Sequence, residues 1–103
     1  LDEAGKRQNN EIAHLVSTEI ANAYLAKKQY KNAIKYFLIA REYIEELDDL
    51  TLLSQNIIYT AGTYQSLNKK EKALDELLQL TETRFKKIKN ESKTDIYSKI
   101  SSY

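Results

Sequence analysis

Cysteine, proline, methionine and tryptophan are absent from this chain, and glycine occurs only twice in 103 residues. Without cysteine there is no disulfide, no thiolate nucleophile and no thiolate metal site. The same absence chooses no compartment and leaves both cytoplasm and periplasm open. The scarcity of proline and glycine removes the punctuation on which tight-turned sheet proteins depend, and favours helices joined by short polar links. An excess of one charge is also missing. Lys and Arg number 16 against 15 Asp and Glu, a formal net charge of +1, so the basic footprint of a nucleic-acid binder is not there. The longest uninterrupted apolar run, residues 36–40, is five residues long, where a membrane-spanning helix needs about 20. No signal-peptide pattern opens the chain. Neither a membrane nor a nucleic acid is therefore an expected partner. A chain that begins at Leu1 and contains no methionine is expected to be a piece of a longer protein.

What is present suffices for folding. Apolar residues make up 42% of the chain and charged ones 30%. A chain of this length forms one compact domain or a short repeat array, burying about 60–65% of its unfolded surface. The apolar residues recur at steps of three and four, the period of a helix face. Tyr30, Ala33, Ile34, Phe37, Ala40, Ile44 and Leu47 form the clearest such stripe. Ile12, Leu15, Val16, Ile20, Ala23 and Tyr24 predict an earlier helix over residues 10–27. Leu50, Leu53, Ile57, Ala61, Tyr64 and Leu67 predict a third, and Ala73, Leu74, Leu77, Leu78, Thr81, Phe85 and Ile88 a fourth. Polar breaks separate them at Lys28 and Gln29, at Asp48 and Asp49, at residues 68–70 and at residues 89–91. Either Asp48 or Asp49 can cap the third helix. Ser92 with Asp95 resembles a capping box opening a fifth helix that carries Ile96, Tyr97, Ile100 and Tyr103. Residues 1–4 read as the tail of an earlier helix ended near Gly5. The expected class is all-α.

The chain also repeats itself. Tyr24 precedes Ala33 as Tyr64 precedes Ala73, both pairs shifted by 40 residues (64 − 24 and 73 − 33). Ala21 matches Ala61, Phe37 matches Leu77 and Ala40 matches Leu80, while Tyr30/Lys70 and Ile44/Arg84 are mismatches. A fixed period of this kind is the mark of a helical solenoid. Short side chains at Ala21, Ala33, Ala61 and Ala73 let two helices of a hairpin approach closely.

These residues give the chain a resemblance to the tetratricopeptide repeat. It is carried by Ala21, Tyr24, Ala33, Phe37 and Ala40 in one unit and by Ala61, Tyr64, Ala73, Leu77 and Leu80 in the next. The likeness covers residues 10–88, as repeats at 10–47 and 49–88, with 92–103 as the start of a third in a single array. The period of 40, longer than the family's usual one, and the missing proline after the second helix point to a long-period bacterial subgroup found in sensors and regulators. The resemblance implies antiparallel hairpins stacked in a right-handed superhelix, no catalysis, and no cofactor or metal.

Candidate chemistry elsewhere is thin. Glu11 and His14 have the spacing of a di-metal carboxylate motif, but such a site needs a second His and the chain has one. His14 then reads as an ordinary surface or interface residue. Glu42, Glu45, Glu46, Asp48 and Asp49 lack the alternation and turn glycine of a calcium loop and read as a solvated helix end. Ser and Thr have no matching base, so no nucleophile constellation forms. Lys27, Lys28, Lys31 and Lys35 interleave with Tyr24, Tyr30 and Tyr36, but periodicity assigns Tyr24 and Tyr30 to the core. Gly62, in mid-helix, either admits a neighbouring helix or clears space for a ligand.

In stacked hairpins the first helices line an inner groove suited to an extended peptide or a partner helix. The candidate groove residues are Leu15, Thr18, Asn22 and Leu25 in the first unit and Gln55, Ile58, Tyr59, Gly62 and Gln65 in the second. Asn22, Gln55 and Gln65 offer both donor and acceptor to a peptide backbone; the alternative is that they are plain polar surface. Thr18 and Tyr59 stand where the family's carboxylate clamp needs Lys and Asn, which argues against that clamp. The expected function is protein or peptide binding within a larger bacterial regulator or sensor. A quorum-sensing signal-peptide receptor and a structural or oligomerisation array are the alternatives. Self-association through exposed terminal helices is expected, centred on Ile96, Tyr97, Ile100 and Tyr103.

Overall fold

Four helices follow one another in the computed structural model: α1 (Glu3–Ala26), α2 (Tyr30–Leu47), α3 (Leu50–Ser66) and α4 (Lys70–Ser102). The backbone of residues 2–102 and the side chains of residues 2–86 are described, and no strand occurs among them. The chain is all-α. Packing follows sequence order, α1 on α2, α2 on α3 and α3 on α4.

The helix starts are chemically specified. Asp2 caps α1, its Oδ1 accepting from the Gly5 N–H at 2.7 Å. Glu3 and Ala4 are therefore the first turn of α1 and not the tail of an earlier helix. Of the two candidate caps for α3, Asp49 is the one used: Oδ1 accepts from the Leu52 N–H at 3.0 Å. Asp48 instead ends α2 in the left-handed region, φ 52°.

The turns between α1 and α2 and between α3 and α4 are the same structure 40 residues apart. Lys28 and Asn68 (68 − 28) both have φ 61°. Lys28 N–H donates to Leu25 C=O and Asn68 N–H to Gln65 C=O, both at 2.9 Å. Gln29 N–H donates to Tyr24 C=O and Lys69 N–H to Tyr64 C=O, again both at 2.9 Å. A residue in the left-handed conformation closes the exposed carbonyls of each helix end.

Two expectations about α4 need correction. The break at residues 89–91 and the separate helix from Ser92 do not form, because α4 runs unbroken to Ser102. Lys, Asn, Glu and Ser each cost a helix at most about 0.7 kcal/mol, and without Gly or Pro nothing stops it. The side chains of Ile96, Tyr97, Ile100 and Tyr103 lie outside the described residues.

Ala21, Ala33 and Phe37 are fully buried together, flanked by Tyr24, Leu25 and Tyr36, with the Tyr24 and Tyr36 rings stacked at 5.6 Å. The stripe of α2 is buried from Ala33 to Leu47, with Arg41 added to it, while Tyr30 is half-buried. That of α1 is not. α1 buries His14, Ser17 and Ala21 against its neighbours, leaving Ile12, Leu15, Val16 and Ile20 exposed. Small side chains set this choice, since Ser17 and Ala21 allow a close helix approach that branched residues would block. α3 buries Ser54, Asn56, Thr60 and Thr63 beside Ile57 and Ala61, and on α4 Ala73 is buried while Leu74, Leu77, Leu78 and Phe85 are exposed. Thr60 and Thr63 satisfy their hydroxyls inside the helix, on Asn56 and Tyr59 carbonyls at 2.8 and 2.7 Å.

Candidate binding cleft

α1 and α3 lie on either side of α2 and leave a cleft of about 140 Å³, lined mainly by apolar surface. Its floor is Phe37 and Ile44 of α2; His14, Leu15 and Thr18 of α1 and Leu52, Gln55, Asn56 and Tyr59 of α3 form its walls. The Tyr59 ring lies parallel to that of Phe37, centroids 6.0 Å apart and planes 6° apart. Phe37 is fully buried beside it while Tyr59 stays half in solvent, an aromatic wall that an apolar side chain could meet.

Asn56 fixes this arrangement from beneath. Its Nδ2 donates to the Phe37 carbonyl at 2.8 Å, and its Oδ1 accepts from Arg41 Nε at 2.8 Å. Each end of the amide thus holds one partner, which fixes the orientation of the side chain. His14 is buried with no hydrogen-bond partner for Nδ1. The repeat gives the reason. In the second unit Ser54 occupies the place of His14 (54 − 14 = 40) and accepts from Arg84 Nε at 3.3 Å, whereas Arg84 is replaced in the first unit by Ile44.

Of the nine groove candidates, the fold brings Leu15, Thr18, Gln55 and Tyr59 into this cleft. Asn22, Ile58, Gly62 and Gln65 are exposed outside its lining, and Leu25 is half-buried against the Ala21–Phe37 cluster. A Cβ built on Gly62 meets nothing within 4 Å. The close-packing explanation for that glycine is thereby excluded, and open space above α3 remains. A wider hollow of about 530 Å³ at residues 68–72 has only consecutive residues of one turn for its wall and is open surface.

His14, Phe37, Asn56 and Leu52 were not among the groove candidates. Phe37 read as pure core, and Asn56 stood outside the apolar stripe of its helix. A signal for the polar lock was nevertheless present, because Arg41 falls between Phe37 and Ile44 on the apolar stripe of α2, where only a paired charge is tolerated. Among the described residues no group of three or more His, Cys, Asp or Glu stands as metal ligands would, and no helix is long and apolar enough to cross a membrane. Compared with known proteins, the chain matches no family model, no curated protein and no solved structure.

Proposed function

We propose that this chain is a non-catalytic binding module with tetratricopeptide-like hairpins, taking a peptide or protein segment across the α1/α3 face. The observation that carries the reading is the cleft itself: an apolar floor, an aromatic wall at Tyr59, and Gln55 and Thr18 on its walls with polar groups for a peptide backbone. A pocket of this kind holds one apolar side chain while the amide reads the main chain beside it. The two identical turns 40 residues apart support the hairpin repeat. Stacking of such units in a right-handed superhelix, inside a larger bacterial regulator or sensor, completes the proposal. Selection from a random peptide library, followed by amide chemical-shift mapping of the best binder, tests it. Shifts should centre on Leu15, Gln55 and Tyr59. Failure to select any binder, or shifts confined to the α2/α4 side at Lys35 and Lys72, would reject it.

A further inference from the structure

The two inner helices bury their apolar faces and the two outer helices expose theirs. The 40-residue register shows that these are the same faces. Helices α1 and α3 end 40 residues apart (66 − 26), and α2 and α4 begin 40 apart (70 − 30). On that register Leu77 of α4 is the counterpart of Phe37 of α2, yet it is 43% exposed where Phe37 is 0%. Leu74 is 56% exposed where Ile34 is 7%. On α1, Val16 is 52% exposed where its counterpart Asn56 is 4%. Phe37, Ile34 and Asn56 lie on the two helices that meet at the α2/α3 junction. The exposed faces of α1 and α4 are thus the two halves of a junction that the chain makes once internally, between α2 and α3.

We propose that a second copy of this chain covers them, the α1 face of one copy packing on the α4 face of the next as α3 packs on α2. The chemistry of the two halves matches. The internal junction buries Arg41 against Asn56; the same two places in the intermolecular junction hold Thr81 and Val16, so no charge is left buried. Ile44 and Tyr59, which share the internal cleft, are replaced by Arg84 of one copy and Glu19 of the next. Both are exposed, and neither is in an ion pair among the described residues. An opposite-charge pair on the rim of an apolar contact sets register and rate of encounter. The contact is heterologous, so it grows into a closed ring or an open stack and does not stop at a two-fold dimer.

Sedimentation of the full chain with Val16→Glu and Leu77→Glu variants tests the pairing. Wild type should show mass rising with concentration. Each variant alone should associate at least roughly tenfold more weakly, since each places an unpaired carboxylate in one half of the junction. Mixed in equal amounts, they should form a one-to-one dimer, because each keeps the half that the other lacks. Circular dichroism checks that both variants remain folded. Glu19→Arg should weaken stacking and Arg84→Glu in the same chain should restore it. A wild type that stays monomeric at all concentrations, a single variant that associates as tightly as wild type, or a mixture that does not dimerise, would overturn the proposal. Neither Val16 nor Leu77 lines the α1/α3 cleft, so peptide affinity in the variants should be unchanged, and either reading can fail alone.

Discussion

Arg41 of α2 and Glu76 of α4 meet in a two-pronged ion pair, Nη2 to Oε2 at 2.7 Å and Nη1 to Oε1 at 3.3 Å, with side chains only 9% and 12% exposed. The same guanidinium donates through Nε to Asn56 of α3. One side chain thereby touches three helices, and it fixes how the second hairpin sits on the first. A buried pair of this geometry contributes little net stability but makes its own disruption costly.

Glu76→Ala should therefore destabilise the fold by about 3 kcal/mol, because it strands a buried guanidinium. Arg41→Met combined with Glu76→Leu should recover part of that loss, since no buried charge remains while Asn56 Oδ1 loses its donor. Denaturant midpoints of Arg41→Met, Glu76→Leu and the double variant measure the coupling. A single-variant loss below about 1 kcal/mol would mean that the pair behaves as a surface salt bridge.

Phe37→Ala removes the largest fully buried side chain of the core. A deletion of this size costs about 3–5 kcal/mol, which for a chain of this length lowers the melting temperature by roughly 12 °C or more. Thermal unfolding followed by circular dichroism is the check. A shift of a degree or two would show that the cavity collapses and that Phe37 carries little of the core.

How far the sequence revealed this structure depends on which neighbour decides. Helix class, the α2 stripe and the Ala21/Ala33 approach follow from period and side-chain size, both local properties. The orientation of α1 does not. Its apolar stripe and its small-residue face compete for α2, and close approach at Ser17 and Ala21 wins. The run-on of α4 past residues 89–91 was hidden for a related reason: polar residues mark a turn only when something else stops the helix. In the cleft, Leu15, Thr18, Gln55 and Tyr59 were legible from spacing on first helices. Arg41 stands out on the apolar stripe of α2, but its partner Asn56, 15 residues away, and the Phe37 carbonyl that Asn56 reaches, 19 residues away, are not displayed by any periodicity.

The repeated turns offer a matched pair of tests. Lys28 and Asn68 share φ 61°, a conformation that costs an ordinary L-residue about 1–2 kcal/mol and asparagine less. Lys28→Gly should raise stability by about 1 kcal/mol, and Asn68→Gly by clearly less. Urea unfolding of both variants reads the difference. Equal gains, or a loss at Lys28, would show that the lysine stem contributes packing that offsets its backbone strain.

Gly62 separates stability from binding. It lies inside α3 with nothing beyond its own helix backbone and chain neighbours within 4 Å of a Cβ at this position, so Gly62→Ala fits without displacement and should gain about 0.8–1 kcal/mol of helix propensity. Should a peptide lie along the exposed face of α3 beyond Tyr59, the added methyl and larger residues after it would meet its backbone. Gly62→Ala and then Gly62→Leu should therefore weaken a selected peptide progressively while folding stays intact. Gln55→Ala and Tyr59→Ala should weaken it through lost contacts in the cleft, by roughly tenfold for the half-exposed ring. Titration calorimetry with the peptide, paired with thermal melts of each variant, gives both quantities. If affinity is untouched by Gly62→Leu yet falls with Tyr59→Ala, the peptide ends at the cleft and does not run on along α3. If neither change matters, the α1/α3 face is not where it binds.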